Sequence, residues 1–459
     1  MNQRHHNILA LIIILLSSLL LGVWATQHTI ALRNSLLVIG SLLSLAHLLA
    51  KSRITKTNIN DINLVPLILI SFLFTWVLAH YLFLSQDPTL QLKELKSVWL
   101  RALLGVIIGW TAGSIILEKP KYLYLLGIGL VGIFSLLYAQ YIPRVLATHQ
   151  LFQYDNNGYI FYAKHNAVLI GTILISAAGG LLMDKVSSDS RNRWFLLEVL
   201  AILFSMLLPL YSYVFIFETK NGIGLALILC AFWLIVGTWF LFRTKRKITS
   251  LKHKMATALS LFGILVLIFM SAKLQFNRHP EWRYTLEDFR ESVQIDKYPQ
   301  WSGGAEGPPI LASGRPITGN IFDRASWAAG GLMLIPEQPW GNGILHYTFR
   351  RALMLHFPNR DPQTLTPSSH SGWIEITLAF GFPALLCLWG SLLAVLYGAI
   401  NRHPPFKLVT ISLVLAIFCN YMVGELSTQH SIEILLFMIA LLAGMAPVNQ
   451  KSKIQDTKI

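Results

Sequence analysis

Apolar runs of about twenty residues recur along this chain at roughly 8–25, 30–50, 63–85, 98–117, 121–140, 164–183, 194–217, 221–242, 255–276, 371–399, 407–426 and 432–448. Nothing else in the sequence constrains the fold as much. A helix needs about 20 apolar residues to cross the hydrocarbon of a bilayer, and only a helix or closed barrel satisfies its backbone there. The runs predict an all-α polytopic membrane protein with about twelve transmembrane helices. Composition agrees: 54% of the 459 residues are hydrophobic and 13% are charged, against about 25% charged in soluble domains. Cys230, Cys387 and Cys419 all fall inside apolar runs, so neither a disulfide framework nor a zinc spacing exists. The first run has a signal-peptide look, but no small-residue cleavage site follows it. It is expected to stay as the first helix.

The net charge of +15 is spread in short clusters between runs, as orientation signals are, and does not form a nucleic-acid patch. Arg4, Lys51, Arg53, Lys56, Lys119, Lys121, Lys185, Arg191, Arg193, Arg243, Lys245, Arg246, Lys247, Lys252, Lys254, Arg402, Lys407, Lys451, Lys453 and Lys458 fall in alternate connections. The other short connections hold fewer, such as Lys93, Lys96, Arg144, Lys164 and Lys220. The richer set is expected on the cytoplasmic side, with both termini. The chain then divides into nine spans over 1–276, a large external loop over 277–369, three spans over 370–448 and a tail over 449–459.

No P-loop, HExxH or fixed-period repeat is present. Carboxylates are nearly absent from the spans; Glu198 and Glu425 lie near predicted helix ends. That scarcity argues against an ion-coupled carrier. The external loop is rich in arginine, including Arg278, Arg283, Arg290, Arg315, Arg324, Arg350, Arg351 and Arg360. Guanidinium groups beside a membrane suit phosphate, which they grip bidentately. The pattern predicts short helices at about 282–293, at Asp323–Leu334 and within ILHYTFRRALMLHF, with turns at the Gly- and Pro-rich stretches between them. Trp282, Trp301, Trp327, Trp340 and Trp373 can stack on sugars or anchor the interface.

After this loop comes PSSHSGWIEITLAF, residues 367–380, with His370 at the lip of a span. Ser368 or Ser369 is a suitable N-cap for a helix starting near His370. A histidine at such a terminus is expected to be neutral and available as a base. His165 and Asn166 open the sixth span from the same side, as cavity-lining residues or as a helix cap.

The run His370, Ser371, nine residues and Gly381 resembles a motif of the O-antigen ligase family, enzymes that attach lipid-linked O-polysaccharide to lipid A–core. Ala384 stands where that motif carries Gly, Thr or Tyr. Upstream, Arg324 and Trp327 match an Arg-x-x-Trp element. Gly341 and Gly343 match its closing glycines, with Pro339 or Pro336 in the proline place. Lys220 stands where the family carries a basic residue, normally Arg, at the outer end of the eighth span. Twelve spans with one large loop after the ninth also match. The resemblance implies a GT-C-like glycosyltransferase on the periplasmic face of a bacterial inner membrane. Its donor would be an undecaprenyl-pyrophosphate glycan and its acceptor lipid A–core, with membrane lipids around it and no cofactor, metal or nucleic acid. It assigns the catalytic base to His370 and donor pyrophosphate binding to Arg324 and Lys220, with His165, Trp327, Gly341 and Gly343 as possible cavity-lining residues. Alternatives are an O-antigen polymerase or a pilin O-oligosaccharyltransferase using the same donor, or a lipid-linked sugar transporter. No arginine here has a glycine eleven positions on, which argues against the polymerase's paired Arg-x10-Gly motifs.

Overall fold

The computed structural model describes residues 3–54, 64–152, 159–187, 194–243, 251–303, 307–400, 406–428 and 430–446. Lys56, Arg191, Arg193, Lys245, Arg246, Lys247, Arg402, Lys451, Lys453 and Lys458 lie outside the described residues. The first ten helices are α1 (Gln3–Val23), α2 (Ile30–Ile54), α3 (Val65–Phe83), α4 (Pro88–Glu94), α5 (Leu100–Glu118), α6 (Tyr122–Thr148), α7 (Lys164–Ser187), α8 (Phe195–Tyr211), α9 (Lys220–Arg243) and α10 (Leu251–Arg278). The long segment that follows holds α11 (Thr285–Ser292), α12 (Gly319–Leu334) and α13 (Thr348–His356). The chain then runs through α14 (Gly372–Ile400), α15 (Phe406–Val423) and α16 (Ser431–Gly444). Among the described residues there is no strand, only two isolated bridges.

Among the described residues nine helices are long and apolar enough to cross a membrane, α4 and α5 counting as one through the π-turn Leu95–Trp99. The protein is therefore a helical, membrane-embedded one. The last two expected spans form shorter apolar helices, Lys407–Val423 and Ser431–Gly444, and the run at 255–276 falls within α10. The brevity of α16 has a physical reason. All fourteen of its residues are buried, so it is enclosed by other helices and need not match the thickness of lipid. It runs against α5 at backbone distance. A Cβ on Gly113 would lie 2.1 Å from the Leu441 carbonyl oxygen, the small-residue packing expected where no hydrophobic force separates helices from lipid.

Side-chain contacts sort the connections into two ends of the bundle. At one end Gln27 Nε2 donates to the Phe161 carbonyl (2.6 Å), Lys220 pairs with Glu281 (2.5 Å), and Arg351 pairs with Asp87 (3.8 Å). At the other, Lys119 Nζ donates to Asn7 Oδ1 (2.6 Å). The described residues after α10 reach the first end through Lys220–Glu281 and Arg351–Asp87.

That segment has its own core, with Trp301, Phe322, Leu334, Phe349 and Leu353 packed on Ile374 and Leu378 of α14. Asp288 on α11 accepts from Arg315 (2.7 Å) and from the Thr318 backbone N–H (3.1 Å), tying α11 to the start of α12. Glu94, nearly buried, accepts from the backbone N–H groups of Leu345 (2.9 Å) and His346 (2.8 Å). A deeper interlock joins the segment to α14. That helix is broken at Phe380 (φ −132°) and Gly381 (φ 71°), and PWGNG fills the break. Asn342 N–H donates to the Leu378 carbonyl (2.9 Å), Gly343 N–H to the Ala379 carbonyl (2.7 Å), and Phe382 N–H to the Pro339 carbonyl (3.1 Å). Helical partners lost at the kink are thus replaced by loop backbone, as burial requires. Pro383, just past the break, has no N–H to lose.

Candidate functional site

The most buried of the nine spans is α7, and the shorter apolar helix α16 is wholly buried. Between their N-termini, α9, α12 and the start of α14 lies a cavity of about 100 Å³. Lys164, His165, Asn221, Arg324, His370 and Glu425 are among its lining residues.

His370 is held by three contacts. Its Nδ1 lies 2.5 Å from Glu425 Oε1. Its ring stacks on Trp327 of α12, with centroids 5.1 Å apart and planes at 27°. Its backbone N–H donates to Ser368 Oγ (3.0 Å). Its φ of 53° is left-handed, a strained state for a non-glycine residue that persists only where surrounding contacts enforce it. The helix begins at Gly372, two residues later than expected, because Ser371 supplies the first accepting carbonyl (2.9 Å from Glu375 N–H). His370 therefore precedes the cap and lies outside the first helical turn. Ser368 and Ser369 serve as turn-formers, accepting from the N–H groups of His370 and Ser371, and neither caps the helix.

The carboxylate facing His370 is positioned by a second, fully buried one. Glu375 accepts from Ser368 Oγ (2.6 Å) through one oxygen, and from the N–H groups of Leu426 (2.7 Å) and Ser427 (2.8 Å) through the other. Gly372 N–H donates to the Gly424 carbonyl (2.7 Å). The α15–α16 connection is thereby clamped to the base of α14. Its far end is fixed where His430 Nδ1 (3.0 Å), Arg101 Nε (2.8 Å) and Trp24 Nε1 (3.1 Å) converge on Glu433. Burial would raise the pKa of Glu425, but the hydrogen bond and charge of His370 prevail and hold it down to about 2. A carboxylate depressed in this way adds stability that is fully present above its ordinary value, near 4.5, and is lost only as pH falls through about 2.

Arg324 projects from α12. Its Nη1 donates to the Val423 carbonyl (3.1 Å), and the Asn221 amide, with its oxygen toward the fork, accepts at 2.5 and 3.2 Å. Burial draws its pKa down, opposed by the charges of Glu425 and Asp323. Asp323 is raised by burial, and the charges of His370 and Arg324 oppose that.

His370, Arg324, His165 and Trp327 are thus brought together. Lys220 is not: its neighbours Thr219 and Asn221 line the cavity, but Lys220 itself is paired with Glu281. Gly341 and Gly343 are not cavity-lining either. A Cβ on Gly341 would meet the backbone of Ala379 and Phe380 at 2.4–2.5 Å, and one on Gly343 would meet Gln91 and His80. They belong to the α14 interlock. Trp301 and Trp373 are buried among apolar neighbours, so they offer no sugar platform, whereas Trp340 is exposed. Ala384 is fully buried in the second half of α14. Sequence reading missed the pairing of Glu425 with His370 and the parts of Glu375, Asn221 and Lys164. The available signal was an acid between two apolar runs in a chain poor in acids.

No family model matches this chain, and no curated protein matches it.

Proposed function

We propose that this protein is a glycosyltransferase that moves a polysaccharide from undecaprenyl pyrophosphate to lipid A–core, as an O-antigen ligase does. The observation that carries this reading is the pairing of His370 with Glu425 in a cavity that also holds Arg324. In this reading the chain has twelve spans and both termini in the cytoplasm, and the cavity opens to the periplasm. The clustering of lysine and arginine in alternate connections of the sequence supports that orientation.

The chemistry follows from the geometry. With Nδ1–H donating to Glu425, the Nε2 lone pair of His370 is the one available to an acceptor hydroxyl. As the hydroxyl oxygen bonds to the anomeric carbon, its proton passes to Nε2. The bond from anomeric carbon to phosphate oxygen breaks, and its electron pair leaves on the pyrophosphate. Negative charge grows there, and the Arg324 fork stabilises it. Attack in line with departure inverts the anomeric centre.

Purified protein with donor and lipid A–core should produce glycan-bearing lipid A–core whose new linkage is inverted, as read by NMR. Growth of the glycan on its prenyl carrier would instead make the protein a polymerase, and transbilayer movement of intact donor a transporter. Glu425→Gln keeps a hydrogen-bonding side chain but not the charge that supports the protonated imidazole. The expected loss is on the order of 10² in kcat with KM little changed. An unaltered kcat would show that Glu425 only fills space.

A further inference from the structure

Of the charged residues that line the cavity, Glu425 is already engaged by His370, and Lys164 and Arg324 are the cations. Arg324 makes its hydrogen bonds to neutral acceptors, a carbonyl and an amide. Its fork is only partly exposed and carries no carboxylate, which leaves it open to an anion that accepts bidentately. Three further features meet on the wall formed by α7. Its N-cap position is Ala163, which has no side-chain oxygen to offer the first N–H groups. His165, in the first turn, lines the cavity with Nε2 buried and without a hydrogen-bond partner. It stands within electrostatic reach of Glu425, His370, Arg324 and Lys164. Lys164, the first residue of α7, lines the same cavity.

We infer that the N-terminus of α7, through Lys164 and His165, is the second jaw of a pyrophosphate clamp whose first jaw is Arg324. This deepens the proposed function and rests on it. The positive end of a 24-residue helix, an ammonium group and a buried imidazole N–H would face the phosphate oxygens from one side. The guanidinium fork would face them from the other, with the base His370 beside the sugar. The role that family resemblance gives to Lys220 passes to Lys164, because Lys164 lines the cavity and Lys220 does not.

The test is binding of farnesyl pyrophosphate to the full chain in nanodiscs, with inorganic pyrophosphate as competitor. Lys164→Met should weaken binding about 10- to 100-fold, the effect of losing one charge-assisted hydrogen bond. Lys164→Arg should restore most of it, and Lys220→Met should change it less than twofold. Wild-type binding of farnesyl pyrophosphate with Lys164→Met unaffected overturns the clamp while leaving the transferase reading intact, more so if Lys220→Met loses binding. Binding of phosphatidylglycerol with equal strength and the same dependence on Lys164 also overturns it, since the jaw would then hold a bilayer headgroup. Failure of the wild type to bind either pyrophosphate probe overturns the functional reading and the clamp together.

Discussion

On the proposed function, His370→Ala is expected to lower the rate of glycan transfer about 10³-fold, the typical contribution of a positioned general base, with the protein still folded. Three variants separate chemistry from architecture. Alanine removes the base but leaves Glu425 buried without its partner, so a modest drop in melting temperature accompanies the loss of activity. Glutamine can still donate to Glu425, so His370→Gln should melt closer to the wild type and be equally inactive. His370→Gly relieves the left-handed φ of 53° and leaves space beside Trp327. Added imidazole should restore part of the activity of the glycine variant and none to glutamine. A merely structural histidine gives a different result: activity would track melting temperature across the three, and imidazole would do nothing. Full activity in all three variants would remove His370 from the mechanism.

The extent to which this site could be read from sequence follows from how local each interaction is. Membrane helices are a local property of apolar runs, so their positions and the helical class were readable. Only the lengths of the last two came out short, and for α16 enclosure by other helices relaxes the length that lipid imposes. The special character of His370 was also readable, because serines and a helix start surround it in the chain. What it touches was not. Glu425 lies 55 positions away, and it arrives only because Glu375 captures the N–H groups of Leu426 and Ser427. The same limit explains Lys220. Its place at a helix end is a local fact, while its neutralisation by Glu281 depends on how α9 and the segment after α10 meet. Two serines expected to cap a helix instead turn the chain before it, a difference of two residues that takes His370 out of the first helical turn.

Gly381→Ala should be nearly as damaging as any change at the base, by a different route. Residues His370 and Gly381 belong to one stretch of sequence, and the structure gives them unlike tasks. Gly381 has φ 71° and ψ −173°, a region open in practice to glycine alone, and a side chain there costs about 1–3 kcal/mol. An added Cβ would also lie 2.3 Å from the Pro339 carbonyl oxygen and 2.6 Å from the backbone of Trp340. That backbone cannot give way cheaply, because PWGNG is the strand of chain that replaces the broken hydrogen bonds of α14. Overpacking adds about 1–3 kcal/mol, so the total, about 4 kcal/mol, is a large part of the stability of an ordinary domain. The expected result is poor accumulation in the membrane and a sharply lowered melting temperature, with residual activity proportional to folded protein. Gly132→Ala is the control, since a Cβ on Gly132 meets nothing within 4 Å, and alanine is the better helix former. If Gly381→Ala melts with the wild type but loses transfer, the kink acts on the reaction directly, through the angle at which α14 presents His370 to the cavity.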